Sequence, residues 1–590
     1  MTNIASSRPK TDLSWWKSAT CYQIYPCSFF DSNGDGIGDL PGINSKLDYL
    51  ADLGIDCIWI SPMYASPQED MGYDISDYEA IYPAYGTMSD MEAIIQSAHH
   101  RGIRVLLDLV VNHTSEQHKW FQQSLRGKVG DGAYGDFYIW KDPNFDTNGT
   151  RKEPNNWGSV FGGSAWEWVE ERGQYYLHIF AKGQPDLNWE QDHVRAAIRE
   201  SSMHFWFKKG IDGFRVDTCG IYSKDPSFKD GVVDERLYPY GSPNDGIRNG
   251  PRIHEFWREI RREVLDKYVD GDPLMVGELP LVDYDTLMKY VGAERRELSC
   301  GFDFAYVALG GVWASPPHEV GGYKLPEAKR AIQKTQDLIM TGNAWGTTFK
   351  ENHDLPRSVT RHGTKNIAYW ERAAKVLCMM TTTLSGTLWV YQGEEIGMTN
   401  IPESWSIDDL KDLNSINYYR DMQKRFPGDQ ELLRKAWKGV VETARDNGRT
   451  PMQWSNEKQA GFTTGKPWMR VNDNYRSINV ADQSKSGDSV LAFWKSMIKI
   501  RKKYAEILMH GSYKVHDFEN EHSWTFEKRA ESGQLAIVML NFSEVECDLH
   551  WPGGSNKDAF NLIISNVSNS ATVLQPWECR LYIEKSLGQL

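Results

Sequence analysis

The chain has 590 residues, 40% hydrophobic and 25% charged, an ordinary globular composition with ample material for a large core. Its formal net charge of −14 argues against nucleic acid or an anionic membrane surface as a main partner. No run of about 18 apolar residues occurs, so no membrane span is expected.

In chain order, the N-terminal "MTNIASSRPKTDLSWWKS" lacks the apolar core of a secretory signal. Next comes "DSNGDGIGD" (31–39), with oxygen donors at alternate places: Asp31, Asn33, Asp35, the Ile37 carbonyl and Asp39. This spacing follows the first nine positions of an EF-hand loop, Gly36 at the sixth included, but Gly42 stands where the bidentate Glu would be. A structural Ca²⁺ completed by water is the expectation there. Eight short apolar runs read as buried strands: 21–30, 55–61, 103–113, 211–217, 273–279, 301–309, 345–354 and 386–395. Amphipathic stretches such as 88–102 and 194–210 read as helices between them. The alternation predicts an α/β fold, a (β/α)8 TIM barrel.

Residues 114–185, rich in Gly, Asn, Trp and Tyr, break this rhythm after the third strand and read as an inserted subdomain. A second irregular stretch, 399–475, follows the eighth strand. From about residue 515, short alternating segments read as a C-terminal antiparallel β domain. The expected division is 1–113 with 186–514 for the barrel, 114–185 for the insertion and 515–590 for a C-terminal β-sandwich. The eight cysteines are scattered without a CxxC pair, which argues against zinc ribbons and a disulfide scaffold. Reduced thiols and the missing signal favour the cytoplasm, so the Asn148-Gly149-Thr150 sequon reads as chance.

The strands end in polar groups, and barrels carry their chemistry at those ends. In "IDGFRVDT" (211–218), Arg215 and Asp217 share one face because side chains two apart in a strand point the same way. A neighbouring cation lowers a carboxylate's pKa, so Arg215 is expected to hold Asp217 ionised as a nucleophile. Glu278, flanked by apolar residues in "VGEL", is expected to stay protonated. A carboxylate facing a carboxylic acid is the pair that glycoside hydrolysis requires. The competing reading is a structural ion pair, since such pairs also perturb pKa values.

The motifs "DLVVNH" (108–113), "QPDLN" (184–188), "GFRVDT" (213–218), "VGEL" (276–279) and "ENHD" (351–354) occur in the order found in the α-amylase clan. The chain resembles glycoside hydrolase family 13, and within it the α-glucosidase and oligo-1,6-glucosidase branch. The resemblance implies Asp217 as nucleophile, Glu278 as general acid/base and Asp354 as the third carboxylate. It implies sugar contacts from His113 and His353, with Arg215 holding the nucleophile. Through "EDMGYDISDY" (69–78) and "ARDNGRTPMQW" (444–454), Asp70 and Arg445 are implied to bind the far hydroxyls of a terminal glucose, over a platform formed by Tyr73. Phe161, Phe180 and Gln184 are further candidates for the walls. In this branch a structural Ca²⁺ often sits at the loop corresponding to 31–39, and catalysis itself needs no cofactor.

A closed end of this kind implies a pocket that releases one glucose at a time from a small α-glucoside. Thr218 follows the nucleophile; in this branch Val at that place accompanies α-1,6 cleavage, and Thr or Ala α-1,4 cleavage. The reading is therefore a retaining, exo-acting, maltase-type enzyme that also accepts sucrose-like substrates. The alternatives are an isomaltase, or a sucrose isomerase or glucosyltransferase, although the "RLDRD" segment of sucrose isomerases is absent. A non-catalytic relative, such as a transporter heavy chain, fits poorly because Asp217, Glu278 and Asp354 are all present. The sequence favours neither a monomer nor a homo-oligomer.

Overall fold

The computed structural model describes residues 14–127, 134–233, 239–280, 282–312, 315–341, 343–553, 557–568 and 572–585. The first thirteen residues, on which much of the missing-signal argument falls, lie outside the described residues.

Eight parallel strands form the centre: β1 Thr20–Ile24, β2 Cys57–Ile60, β3 Arg104–Leu109, β4 Gly213–Val216, β5 Leu274–Glu278, β6 Cys300–Phe302, β7 Thr347–Thr348 and β8 Thr387–Tyr391. They pair in the order β6-β5-β4-β3-β2-β1-β8-β7, and a parallel bridge between Gly301 and Gly346 joins β6 to β7. The sheet thus closes on itself as the expected barrel. The near-continuous apolar runs follow from burial on both faces, inside by the barrel filling and outside by helices. At β4, Gly213 has φ +147°, and a Cβ there would lie 2.0 Å from the Leu274 carbonyl oxygen. Only a residue without a side chain lets β4 and β5 approach this closely, and their ends carry Asp217 and Glu278.

An aromatic layer fills the barrel below those ends. Phe302 lies 5.9 Å from Trp59, 4.9 Å from Trp389 and 5.0 Å from Phe349, centroid to centroid. The guanidinium of Arg215 rests 5.0 Å above the Trp59 ring. This dry floor strips water from the charges above it, which sets their proton affinities.

Between β3 and β4 the chain leaves the barrel and forms a three-stranded antiparallel sheet from Trp140–Lys141, Gln174–Leu177 and Trp166–Val169. Its core is separate and small, built on Ile139, Trp157, Trp166, Leu177 and Ile179. The excursion is tied back by bridges from His113 to Asp186 and from Tyr138 to Leu187, which bring Phe180 and Gln184 over the barrel mouth.

The stretch 399–475, expected to be irregular, contains, besides a single helical turn at Asp446–Arg449, two long helices, Leu413–Arg425 and Gln430–Thr443. They bury only a narrow apolar strip in a satellite cluster with Ile401, Trp405 and Met469. So little burial leaves both helices polar overall, and their polar composition made the stretch read as irregular. After them, β9 Ser512–Val515, β10 Ser523–Arg529, β11 Leu535–Asn541, β12 Phe560–Ser565 and β13 Cys579–Glu584 form an antiparallel sheet in the order β9-β10-β11-β13-β12. Among the described residues no helix is long and apolar enough to cross a membrane.

Candidate active site

Asp217, Glu278 and Asp354 all lie at the C-terminal mouth of the barrel, following β4, ending β5 and following β7. One guanidinium organises the centre. Arg215 Nη1 donates to Asp108 Oδ1 at 2.9 Å and to Asp217 Oδ1 at 2.7 Å, while Nη2 lies 2.8 Å from Glu278 Oε2. Arg215 is 1% exposed, so this is a fully desolvated cation shared among three carboxyl groups.

Such a count cannot be neutral if all three ionise, and one proton is expected to stay in the cluster. Burial pushes Glu278 up to about 7 against the pull of Arg215, with Asp217 and Asp354 adding to the rise. The expected depression of Asp217 does not occur. Burial pushes it up to about 6 despite Arg215, because Asp108 competes for the same guanidinium. The ordering is nevertheless the useful one: the proton rests on Glu278 and the charge on Asp217. For Asp354, burial is again the largest influence and pushes upward, yet His353, Arg445 and Arg449 together hold its carboxyl well below the usual range.

Thr218 ties nucleophile candidate to acid candidate. Its backbone N–H donates to Glu278 Oε2 at 3.0 Å, and its hydroxyl donates to Asp217 Oδ2 at 3.1 Å. Its φ is +41°, a region that β-branched residues avoid, so the turn stores strain at the centre of the site.

The two histidines are buried and neutral. Burial is the main cause in both, lowering His113 and bringing His353 down to about 3. Tyr73 stacks on His353 at 5.1 Å with planes 3° apart, and its hydroxyl reaches Asp108 Oδ2 at 3.1 Å. His113 Nε2 lies 3.0 Å from the Tyr73 carbonyl, so it braces the platform residue.

Opposite the acid pair, the mouth is closed by charge. Arg445 Nη2 lies 3.4 Å from Asp70 Oδ1, Nη1 3.4 Å from Asp354 Oδ1, and Nε donates to Asp412 Oδ1 at 2.8 Å. Gln184 donates to Asp70 Oδ2 at 3.2 Å. Phe180 packs 5.1 Å from His113 and 6.0 Å from Phe161, and Arg445 lies 5.2 Å over the Phe161 ring. All thirteen sequence-named catalytic and substrate-site candidates are therefore linked by these contacts.

Sequence reasoning missed four members of this network. Asp108 shares Arg215, and Arg449 donates to Asp354 Oδ1 at 2.7 Å and to the His353 carbonyl at 2.9 Å. Asp412 holds Arg445 while capping the helix Leu413–Arg425, and Gln23 reaches His353 Nδ1 at 2.8 Å. Asp108 and Arg449 lie inside motifs quoted above, which was a usable signal. Gln23 carries none beyond being polar in an apolar strand, and Asp412, among the polar residues of "DDLKDLNS", carries only that of a helix cap.

The loop 31–39 stands apart from these residues. Asp31 accepts from the amides of Asn33, Gly34 and Gly36, and Asp39 accepts from Ser32 and caps the helix beginning at Leu40. Among the described residues no three His, Cys, Asp or Glu side chains converge as a metal group. The three aspartates alone thus form no cage, and a cation here would also need Asn33 and the Ile37 carbonyl. All five donors are hard oxygens, a set suited to Ca²⁺.

The family description of the α-amylase catalytic domain matches residues 23–511. The chain belongs to the α-amylase family. This family member is 44% identical to an α-glucosidase of Candida albicans, over 97% of this chain and 100% of that protein. It is 43% identical to an oligo-1,6-glucosidase of Parageobacillus thermoglucosidasius, over 96% of this chain and 98% of the relative. Among solved structures, the trehalulose synthase of Pseudomonas mesoacidophila MX-45 superposes with a TM-score of 0.88 at 36% identity, covering 97% of this chain and 100% of that one.

Proposed function

We propose that this α-amylase-family protein is a retaining, exo-acting α-glucosidase that frees terminal α-D-glucose from short α-glucosides. The observation that carries the reading is the shared guanidinium: Arg215 contacts both Asp217 and Glu278, whose proton affinities are set apart by burial and charge. Glu278 gives its proton to the glycosidic oxygen as the bond to the anomeric carbon breaks, and Asp217 bonds to that carbon. The resulting carboxylate of Glu278 then takes a proton from water, whose oxygen displaces Asp217 and restores the α configuration. Two carboxyl groups reached by one guanidinium fit the separation of about 5–5.5 Å that retaining enzymes use, shorter than the inverting range of about 6.5–9.5 Å.

Exo action is the reading supported by the Asp70–Arg445 pair, whose charged groups suit the hydroxyls of a terminal ring. Asp354, held ionised by Arg445 and Arg449, accepts from ring hydroxyls and opposes the positive charge of an oxocarbenium-like transition state. Thr218 favours α-1,4 links, so maltose and sucrose-like glucosides are the proposed substrates. The α-1,6 reading is supported by the identity to an oligo-1,6-glucosidase, and preference between the two links is decided by assay. We place a structural Ca²⁺ at Asp31, Asn33, Asp35, Asp39 and the Ile37 carbonyl, with no part in the reaction, and the protein in the cytoplasm.

The test is a panel of maltose, isomaltose, sucrose and starch, with the anomer of the first product followed by proton NMR. Maltose above isomaltose, α-glucose released first and starch left nearly intact are expected. β-Glucose as first product would end the retaining claim, and an isomerised product from sucrose would favour the isomerase. Asp217→Ala should lower kcat by about 10⁴-fold or more with the fold intact, the scale of removing a covalent nucleophile.

A further inference from the structure

Gln23 lies on β1, 2% exposed, in the otherwise apolar neighbourhood of Cys21, Tyr22 and Ile24. A buried amide is costly unless its donors and acceptors are used. Its Nε2 lies 3.0 Å from Ser61 Oγ and 2.8 Å from His353 Nδ1. The other ring nitrogen of His353, Nε2, lies 2.6 Å from Tyr73 Oη and 3.2 Å from Asp354 Oδ2.

The fixed ends of this chain decide where the protons are. Asp108 accepts from Arg215, Trp59 and Tyr73, so the Tyr73 hydroxyl proton is directed to Asp108 Oδ2. Tyr73 Oη must then accept from His353, and an ionised Asp354 can only accept as well. Nε2 therefore carries the ring hydrogen. A neutral imidazole has one N–H, which leaves Nδ1 a lone pair in need of a donor, and the Gln23 amide supplies it. The opposite tautomer would set a buried lone pair against the Asp354 carboxylate. The ring plane is already fixed by Tyr73 on one side and by Tyr25, stacked at 5.9 Å and 17°, so the tautomer is the freedom left to settle.

We propose that Gln23 is a positioning residue that fixes the His353 tautomer and keeps the ring neutral, with Nε2–H aimed at Tyr73 and Asp354. Its kinetic consequence rests on the glucosidase reading above; the tautomer itself does not. The charged and titratable groups facing the ring are Asp354 from its own loop, Arg215 from β4, Arg445 and Arg449 from beyond β8, and Tyr73 and Tyr25. Three cations stand against one adjacent carboxylate, an arrangement that disfavours imidazolium. A second carboxylate at position 23 would reverse that balance.

Neutron diffraction from deuterated, otherwise unaltered protein reads the tautomer directly. Deuterium on His353 Nε2 with none on Nδ1 is expected; deuterium on Nδ1 overturns the proposal. For the kinetic arm, Gln23→Leu should lower kcat roughly 10- to 100-fold with KM little changed, the scale of losing an outer partner that orients a ring. Gln23→Glu should add an ionisation to the pH profile that the unaltered protein lacks. A Gln23→Leu enzyme within about twofold in kcat, together with an unchanged Gln23→Glu profile, would overturn the positioning role. Unaltered protein inactive on every α-glucoside would sink the glucosidase reading and leave the neutron result to decide the tautomer.

Discussion

At the scale of single residues, a sharing problem governs this site: one buried cation serves three carboxyl groups. The expectation that Arg215 would depress Asp217 treated them as a pair, and the sequence could not reveal that Asp108 arrives from the neighbouring strand at the same nitrogen. The consequence is a narrow working range. Below about 6 Asp217 takes up a proton and cannot attack, and above about 7 Glu278 loses the proton it must donate. The plot of kcat/KM against pH should therefore be a bell between those values, read as properties of the coupled group. Asp354→Asn removes a charge that raises Glu278, so the alkaline limb should move to lower pH in whatever activity remains. Thr218→Val isolates a second effect. Valine keeps the β-branching, so the strained backbone is unchanged, but the hydroxyl that donates to Asp217 is lost. Hydrogen bonds to charged groups are worth about 1.5–3 kcal/mol, so kcat/KM on maltose should fall roughly tenfold or more. The same donation lowers the Asp217 pKa, so the acid limb should move to higher pH while the isomaltose-to-maltose ratio rises. A variant with unaltered limbs and ratio would remove Thr218 from both roles.

At the scale of elements, legibility followed burial. The eight barrel strands are enclosed on both faces, so their apolar runs stand out, and their ends could be searched for charge. The helices Leu413–Arg425 and Gln430–Thr443 bury few residues and are polar overall, so the stretch lacked the apolar density that marked the barrel elements. That region also supplies Asp412, which carried no signal of its own beyond a helix cap, whereas Asp70 and Arg445, the partners that meet at the same closed end, were implied by their motifs. The loop 31–39 was legible as spacing, and its packing shows what it holds. Gly36 has φ +96°, and a Cβ there would lie 1.8 Å from the Lys466 carbonyl oxygen. The Asp31 amide and the Gly36 carbonyl pair with Phe462 and Trp468, so the loop braces the segment that follows the "ARDNGRTPMQW" motif. A cation bound there stabilises the folded state by mass action, about 2.7 kcal/mol at a hundredfold excess over Kd. Chelation should accordingly lower Tm, and added Ca²⁺ should restore it, with the first turnovers after chelation unaffected at low temperature. An unchanged Tm would remove the proposed ion.

At the scale of the whole molecule, the C-terminal sheet is not an appendage. One continuous apolar core runs from Trp16 through the barrel to Trp524, Phe526, Val538, Leu581 and Ile583. The seam is pinned by Lys329, wholly buried on the helix Leu325–Met340. Its ammonium donates to Asn520 O at 2.9 Å and Ser523 O at 2.7 Å, and pairs with Asp517 Oδ1 at 3.1 Å. Every proton of the lysine is thus used across the seam, and none of these partners belongs to the catalytic network. Lys329→Met fills most of the same space but leaves the Asp517 carboxylate and the carbonyls of Asp517, Asn520 and Ser523 facing an apolar chain. Removing one partner of a buried ion pair costs about 3–5 kcal/mol. Thermal and denaturant unfolding should show that loss, while kcat per folded molecule, counted by active-site titration, stays at the level of the unaltered protein. If kcat falls while Tm holds, the seam communicates with the catalytic mouth, and the C-terminal sheet has a part in turnover beyond covering the barrel.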